Sequence, residues 1–181
     1  SLRTRLTAAG IKDVSFALSA PMGDYNFGTG MHRPDVNAEE RYSVRIKPVD
    51  THYKDVYGLE LLAGRWFYES EEKVASHEKH EDRQYAFILN DQAVKALGFA
   101  SPEDAIGKNV TIGLNDIEAP VIGVVKDFHT SSLHNAIESV VMLNYHGLYY
   151  DAGVKVNMSN ASAELKTIEE IWTQLFPAYL F

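Results

Sequence analysis

The chain contains no cysteine among its 181 residues. This absence excludes a disulfide scaffold, a zinc finger, an iron–sulfur cluster and a thiol nucleophile. It leaves the redox compartment undecided, because a domain of this size can build a core without disulfides in either compartment.

Long apolar runs and an excess of positive charge are also missing. The longest apolar stretches, 86–89 and 120–125, fall far short of the roughly 20 residues that span a bilayer. Acidic residues number 25 against 17 basic ones, which gives a net charge of −8. Nucleic acid is therefore not an expected partner. The sequence begins at Ser1 with no leader segment, which predicts that it derives from a longer or processed protein.

What remains is the composition of an ordinary globular domain, 45% hydrophobic and 23% charged, and its patterns predict an α+β fold. Residues 19–41 are expected to form a long loop, and the charged run 69–84 a solvated loop or a boundary between lobes. The predicted strands are 14–18, 42–46, 85–89, 109–112, 119–125, 139–143 and 153–156, and the predicted helices or helical turns are 2–9, 51–57, 91–97, 101–106 and 162–175.

Two of these helices carry specific expectations. Asp50 or Thr51 is expected to cap the helix that ends before Gly58. In the last helix, four apolar residues recur at intervals of three, four and three, which predicts one face packed on a strand face. They are Leu165, Ile168, Trp172 and Leu175.

A short segment rich in histidine and glutamate raises the question of a metal site. His77, Glu78, His80 and Glu81 offer imidazole and carboxylate ligands within five positions. The spacing differs from the His-Glu-x-x-His pattern of zinc proteases, and the segment is strongly polar, so water would compete for each ligand. We therefore predict no metal site.

A second segment supplies the residue types of a hydrolase. Asp127, His129, Ser131, Ser132 and His134 follow one another closely, but neighbours in sequence rarely converge on one reacting atom. The favoured interpretation is a turn in which Asp127 and Ser131 bond local backbone groups. The glycines between residues 23 and 30 match no phosphate-binding motif, so neither a catalytic site nor a cofactor is predicted.

A series of turn and cap residues, followed by a conspicuous strand, carries a resemblance to a known family. The residues are Asp50, Tyr53, Gly58-Leu59, Gly64-Arg65, Asn90, Ala93, Gly98, Gly107-Lys108, the run Val121-Ile122-Gly123-Val124-Val125-Lys126-Asp127-Phe128, and Ser132-Leu133-His134. In this order they resemble the MacB-type periplasmic core domain of ABC transporter permeases, over about residues 14–181. The chain departs from the family pattern at Asp91, Ala136 and Ser139.

The resemblance implies a non-catalytic domain on the periplasmic face of the bacterial inner membrane, inserted between the first two membrane helices of a permease with a role such as efflux. Its expected partners are a cytoplasmic ATPase, reached through flanking helices, a periplasmic adaptor or exported substrate, and a second copy in the full transporter. The expected fold is a mixed-sheet porter-like lobe with a smaller inserted α+β lobe at about 85–118, within a single domain 1–181.

The resemblance also implies that Ser1 and Phe181 lie on the same side of the domain, since both chain ends would enter one membrane face. The lobes are expected to move as rigid bodies about hinges near 65–67 and 119–120. Two alternatives stay open: a stand-alone periplasmic ligand-binding module, and a hydrolase that uses Asp127, His129 and Ser132.

Overall fold

The structure, a computed structural model, describes residues 1–23, 27–36, 40–131 and 134–181. In that part of the chain, strands and helices alternate in a mixed α+β architecture, which confirms the predicted fold class. The strands are β1 (Val14–Ala17), β2 (Phe27–His32), β3 (Tyr42–Pro48), β4 (Leu61–Gly64), β5 (Phe87–Asn90), β6 (Asn109–Ile112), β7 (Ile117–Val125), β8 (Val140–Leu143) and β9 (Asp151–Val154). The α-helices are α1 (Leu2–Ala8), α2 (Tyr53–Tyr57), α3 (Glu69–Ala75), α4 (Asp91–Ala96), α5 (Pro102–Ala105) and α6 (Ala161–Leu175), with short 3₁₀ turns at His80–Asp82, His146–Leu148 and Met158–Asn160.

Seven strands form one sheet in the order β4-β7-β5-β8-β3-β2-β6, and β6 also pairs with β7. The long strand β7 makes this possible, because residues 117–120 pair with β6 while residues 121–125 pair with β5. A ring of six strands therefore closes on itself, with β4 attached to the outside of β7. We call this seven-stranded assembly the closed sheet.

The two central strands β5 and β8 are buried on both faces. Phe87 and Leu89 point into one apolar cluster, whereas Ile88 points into a second cluster on the opposite face. On β8, Val141 and Met142 divide between the two clusters in the same way. A strand that is covered on both faces has an almost continuous apolar sequence, as these two have.

The first and last helices pack together with a separate two-stranded sheet. This terminal unit consists of α1, β1, β9 and α6, and β1 pairs with β9 in antiparallel register. Its small core contains Leu6, Val14 and Ile168. Arg5 Nη1 donates to Gln174 Oε1 over 3.2 Å, so the first and last helices lie side by side.

The structure corrects three local expectations, which concern residues 19–41, residues 69–84 and the buried face of α6. Strand β2 lies within the predicted loop 19–41, and α3 lies within the charged run predicted as a loop or boundary. In β2 only Met31 is buried, so the strand lacks an apolar pattern and owes its place to pairing with β3. Helix α6 packs on α1 as well as on the two-stranded sheet, and Leu165, expected on its buried face, is 48% exposed.

Residues 85–118 contribute β5, α4, α5 and β6. Strand β5 lies between β7 and β8, and β6 lies between β2 and β7, so both strands belong to the closed sheet. An inserted lobe with these boundaries stays a prediction.

Candidate functional site

The place where the terminal unit meets the closed sheet is the most polar part of the buried interior. Strand β1 runs beside the segment that leaves β3, and Ala17 forms an isolated bridge with Val49. The Leu18 amide donates to the Pro48 carbonyl over 2.9 Å, and the Asp50 amide donates to the Phe16 carbonyl over 3.0 Å. The two sheets are thus joined by backbone hydrogen bonds at one short segment.

Asp50 lies at the centre of this contact and has no exposed surface. Its carboxylate accepts hydrogen bonds from Ser15 Oγ at 2.8 Å, from the Phe16 amide at 2.7 Å and from the His52 amide at 3.0 Å. It also forms an ion pair with the Arg3 guanidinium of α1, which stacks over the Phe16 ring. We call these five residues the Asp50 junction.

The buried negative charge of Asp50 is satisfied by three hydrogen bonds and by the Arg3 guanidinium. Losing one partner of such a pair costs about 3–5 kcal/mol, because the other charge is left buried without compensation. The partners come from α1, β1 and the residue before α2, so the same carboxylate joins the terminal unit to the segment that follows β3 of the closed sheet.

Asp50 was expected to cap α2, and this expectation is wrong. The residue at the N-terminal cap is His52, and no side chain caps the helix there. The reason is that Asp50 directs its oxygens toward β1 and α1, and only the His52 amide, outside the helix, is bonded locally. A charged residue immediately after a buried strand was the available signal for this role.

Two further polar side chains, Tyr53 and Lys47, are buried close to the junction, and Tyr149 is half-buried there. The Tyr149 hydroxyl donates to the Val49 carbonyl over 2.7 Å, and the Tyr53 hydroxyl donates to the Ser19 carbonyl over 3.1 Å. Burial raises the pKa of both phenols. Lys47, 2% exposed on β3, donates to Ser19 Oγ and the Ala20 carbonyl, and burial lowers its pKa to about 8.

A cleft opens beside the junction, between α1 and α3. It comprises two adjoining cavities of about 490 and 850 Å³, both lined by Arg3, Thr4, Glu72 and His146. Phe16 and Tyr149 line the smaller one. We call it the α1–α3 cleft. One wall is formed by α1 and β1 of the terminal unit, and the opposite wall is formed by α3.

The opposite end of β3 is fixed by a second polar group, around Asn90. The Asn90 side chain caps α4 by accepting from the Ala93 amide, and it also accepts from the Val140 amide at 2.8 Å. Its amide nitrogen donates to the Glu138 carbonyl. Glu138 in turn pairs with Arg45 of β3, and this pairing holds the pKa of Glu138 below its usual value.

The histidine-rich segment forms local contacts. His77 Nδ1 accepts from the Lys79 amide at 3.2 Å and lies 3.6 Å from an Asp82 oxygen. His80 and Glu81 lie in an exposed 3₁₀ turn, and Glu78 is exposed beside it. Across the residues that the structure describes, no group of three His, Asp or Glu side chains is arranged to hold a metal ion.

The residues of the hydrolase alternative serve other contacts where they are described. Asp127 Oδ1 accepts from the Gln92 amide at 2.8 Å, at the start of α4, so its partner is distant in sequence and not local as predicted. Ser131 Oγ accepts from the Asn135 side chain at 3.1 Å, where a backbone partner was expected. Ser132 lies outside the described residues, so a triad with Asp127 and His129 is not assembled by the described part of the chain.

Solved structures with this fold come from transporters. The extracellular domain of the noncanonic ABC-type transporter YknZ from Gram-positive bacteria matches with a TM-score of 0.67 at 16% identity, covering 98% of this chain and 83% of that one. The periplasmic region of MacB from Actinobacillus actinomycetemcomitans matches with a TM-score of 0.64 at 19% identity, covering 96% and 73%. Among curated proteins no significant sequence match is found.

These likenesses define the class of fold, that of the extracytoplasmic domains of ABC-type transporters. A family model, the MacB-like periplasmic core domain, matches residues 4–174, and the chain therefore belongs to that family. The resemblance predicted from the turn and cap residues is confirmed. The protein is thus an extracytoplasmic component of a bacterial ABC transporter permease, a non-enzymatic kind of domain that works with an ATPase partner. None of the described helices is long and apolar enough to cross a membrane.

Proposed function

We propose that this domain passes the ATP-driven motion of flanking membrane helices to a periplasmic adaptor or an exported substrate, on the periplasmic face of the inner membrane, without catalysis of its own. The Asp50 junction is the observation that carries the proposal. A fully buried carboxylate bonded to α1, β1 and the start of α2 is suited to transmit a displacement, because it cannot shift relative to either unit without losing bonds.

The first step of the path is the terminal unit. Because α1 and α6 pack together and are bonded through Arg5 and Gln174, a displacement of either helix would move the whole unit. The next step crosses from β1 to the segment after β3 through the Ala17–Val49 bridge and the Asp50 junction.

The last step runs along the closed sheet. Strand β3 lies between β8 and β2, and closure of the ring ties each of its neighbours to the next. A closed sheet resists shear, because one strand cannot slide without breaking the pairing on both of its edges. The motion would therefore reach the end of the sheet marked by Tyr42 and the Asn90 contacts, where an adaptor or substrate would bind.

The test replaces Asp50 by Asn in the full-length permease with its ATPase. The chain has no cysteine, so single spin labels at Glu169→Cys on α6 and at Lys108→Cys before β6 report on the terminal unit and on the far end of the sheet. Each label's distance to labelled lipid headgroups is measured with and without ATP. In Asp50→Asn we expect the far-end response to fall by at least half while the α6 response and basal ATP hydrolysis persist.

The matched control is Asp91→Asn, which removes another carboxylate, one that forms an i,i+4 ion pair with Lys95. This control should behave as the unmodified protein. Thermal unfolding of Asp50→Asn verifies that it is folded, and Arg3→Met provides a second way to weaken the same junction. Equal ATP responses at both labels in a folded Asp50→Asn protein would contradict the proposal.

A further inference from the structure

Glu72 is a carboxylate of the α1–α3 cleft that forms no ion pair with the described residues. It lies on α3, lines both cavities of the cleft and accepts from the Thr51 amide at 3.3 Å. Among the described residues, no lysine, arginine or histidine nitrogen forms an ion pair with it. Arg3, the nearest guanidinium in the cleft wall, is already engaged by Asp50.

The surroundings of Glu72 make its negative charge costly. Burial, followed by repulsion from Asp50, raises the pKa of Glu72, and the Thr51 amide, Tyr149 and the positive charge of Arg3 oppose this only in part. A partly buried carboxylate in this situation gains more from a cation than an exposed one does, because screening by water is weaker there.

Part of the smaller cavity suits an apolar body attached to such a cation, beside the polar side chains of Arg3 and His146 that line the same cavity. Phe16 and Tyr149 supply aromatic surface to the smaller cavity, and Thr4 and Thr7 supply hydroxyl groups at its edge. The volumes of about 490 and 850 Å³ lie in the range of small-molecule sites. A carboxylate attracts an ammonium group, and neighbouring aromatic rings bury the alkyl chain attached to that group.

We propose that the α1–α3 cleft binds small organic amines, with the ammonium group on Glu72 and the alkyl part against Phe16 and Tyr149. The site is independent of force transmission, so it can exist whether or not the Asp50 junction couples the two units. Because α1 and β1 form one wall and α3 the other, an occupant contacts both the terminal unit and the closed-sheet side.

The experiment compares three ligands of equal chain length on the 181-residue chain at pH 7.5, hexylamine, hexanol and hexanoate, by calorimetric or NMR titration. Hexylamine is an ammonium ion at this pH, so it should bind saturably, at least tenfold more tightly than hexanol, and hexanoate should bind more weakly still. Glu72→Gln should reduce the hexylamine affinity at least tenfold and leave that of hexanol unchanged.

Two further variants test whether amine binding depends on Glu72 itself or on the negative charge of the chain as a whole. Glu169→Gln removes an exposed carboxylate on α6, away from the cleft, and should leave hexylamine binding unchanged. Tyr149→Phe keeps the aromatic ring and should retain most of the affinity, and circular dichroism confirms that each variant is folded. Equal binding of hexylamine and hexanol, an unchanged affinity in Glu72→Gln, or no saturable binding of hexylamine would each overturn the proposal.

Discussion

The closed sheet and the terminal unit differ sharply in how much apolar surface they bury. Among the residues that the structure describes, one cluster inside the closed sheet contains 17 buried residues and the cluster on its other face contains nine, whereas the terminal unit has five. The less well packed unit is the one that carries the first and last helices, α1 and α6. Elements with few buried contacts open at low free energy, so the unit expected to receive motion is also the one expected to yield first.

The difference also explains why the contact between the two units is polar. A unit with a small core cannot rely on apolar area alone to hold its orientation, and a network of hydrogen bonds to a buried carboxylate fixes direction better than apolar contact does. The Asp50 junction supplies such a network at the point where the two sheets meet.

The largest effect is expected from Phe87→Ala in the closed sheet. Phe87 is fully buried on β5, and removing the ring would leave a cavity in the main cluster at a cost of about 3–5 kcal/mol. Hydrogen exchange should accelerate in both units, because the terminal unit docks on the sheet. The control Leu62→Ala, at a residue 39% exposed on β4, should cost far less. A loss below about 1 kcal/mol in Phe87→Ala would mean that the sheet repacks and that its core is not the more rigid one.

The next effect concerns the pH dependence caused by Lys47 of β3. Its pKa is about 8 in the folded chain against an ordinary 10.5, so between these values the unfolded chain holds a proton that the folded chain has released. The free energy of unfolding should therefore rise with pH from 8 upward, by about 3 kcal/mol if the whole window were traversed.

The pH range in which Lys47 can be tested ends near pH 10. The raised pKa values of Tyr53 and Tyr149 keep both phenols protonated in the folded chain, so above pH 10 their contribution to stability is lost as pH rises. Urea unfolding between pH 8 and 10 should show a positive slope that Lys47→Met removes. The control Lys166→Met, at a side chain 77% exposed, should keep it. If the positive slope persists in Lys47→Met, the pH dependence of the free energy of unfolding arises from other groups and the prediction is wrong.

Much of the fold could be predicted because its signals are local. Asn90 and Ser101 cap the helices that follow them, and Gly58 adopts the left-handed conformation that ends α2, each as the neighbouring residues indicate. These turn and cap positions also carried the family resemblance. Strands β5 and β8 could be recognised from continuous apolar runs.

The parts that could not be predicted depend on partners distant in sequence. Strand β2 shows one buried residue, so its place follows from hydrogen bonds to β3 and β6 that no local pattern reveals. Asp50 lies 47 residues from Arg3 and 35 from Ser15, and a local reading made it a helix cap. Glu72 is one of several acidic residues in α3, and what distinguishes it from the others is that it also lines the smaller cavity of the α1–α3 cleft.

The smallest of the three effects is expected from Trp172→Ala in the terminal unit. If the ring were fully buried, as the spacing along α6 suggested, the loss would be about 3–5 kcal/mol. Instead Trp172 is half-buried and its ring packs at a tilt against Phe176, with 4.7 Å between ring centroids, so we expect a loss of about 1–3 kcal/mol.

The location of the effect is as informative as its size. Because the closed sheet has its own cores, Trp172→Ala should accelerate hydrogen exchange in α1, β1, β9 and α6 and leave β5 and β8 protected. Leu165→Ala on the same helix, at a residue 48% exposed, should change the free energy of unfolding by less than about 0.5 kcal/mol. Uniform acceleration of exchange in Trp172→Ala would show that the two units unfold together, and the contrast between them would then concern packing and not local stability.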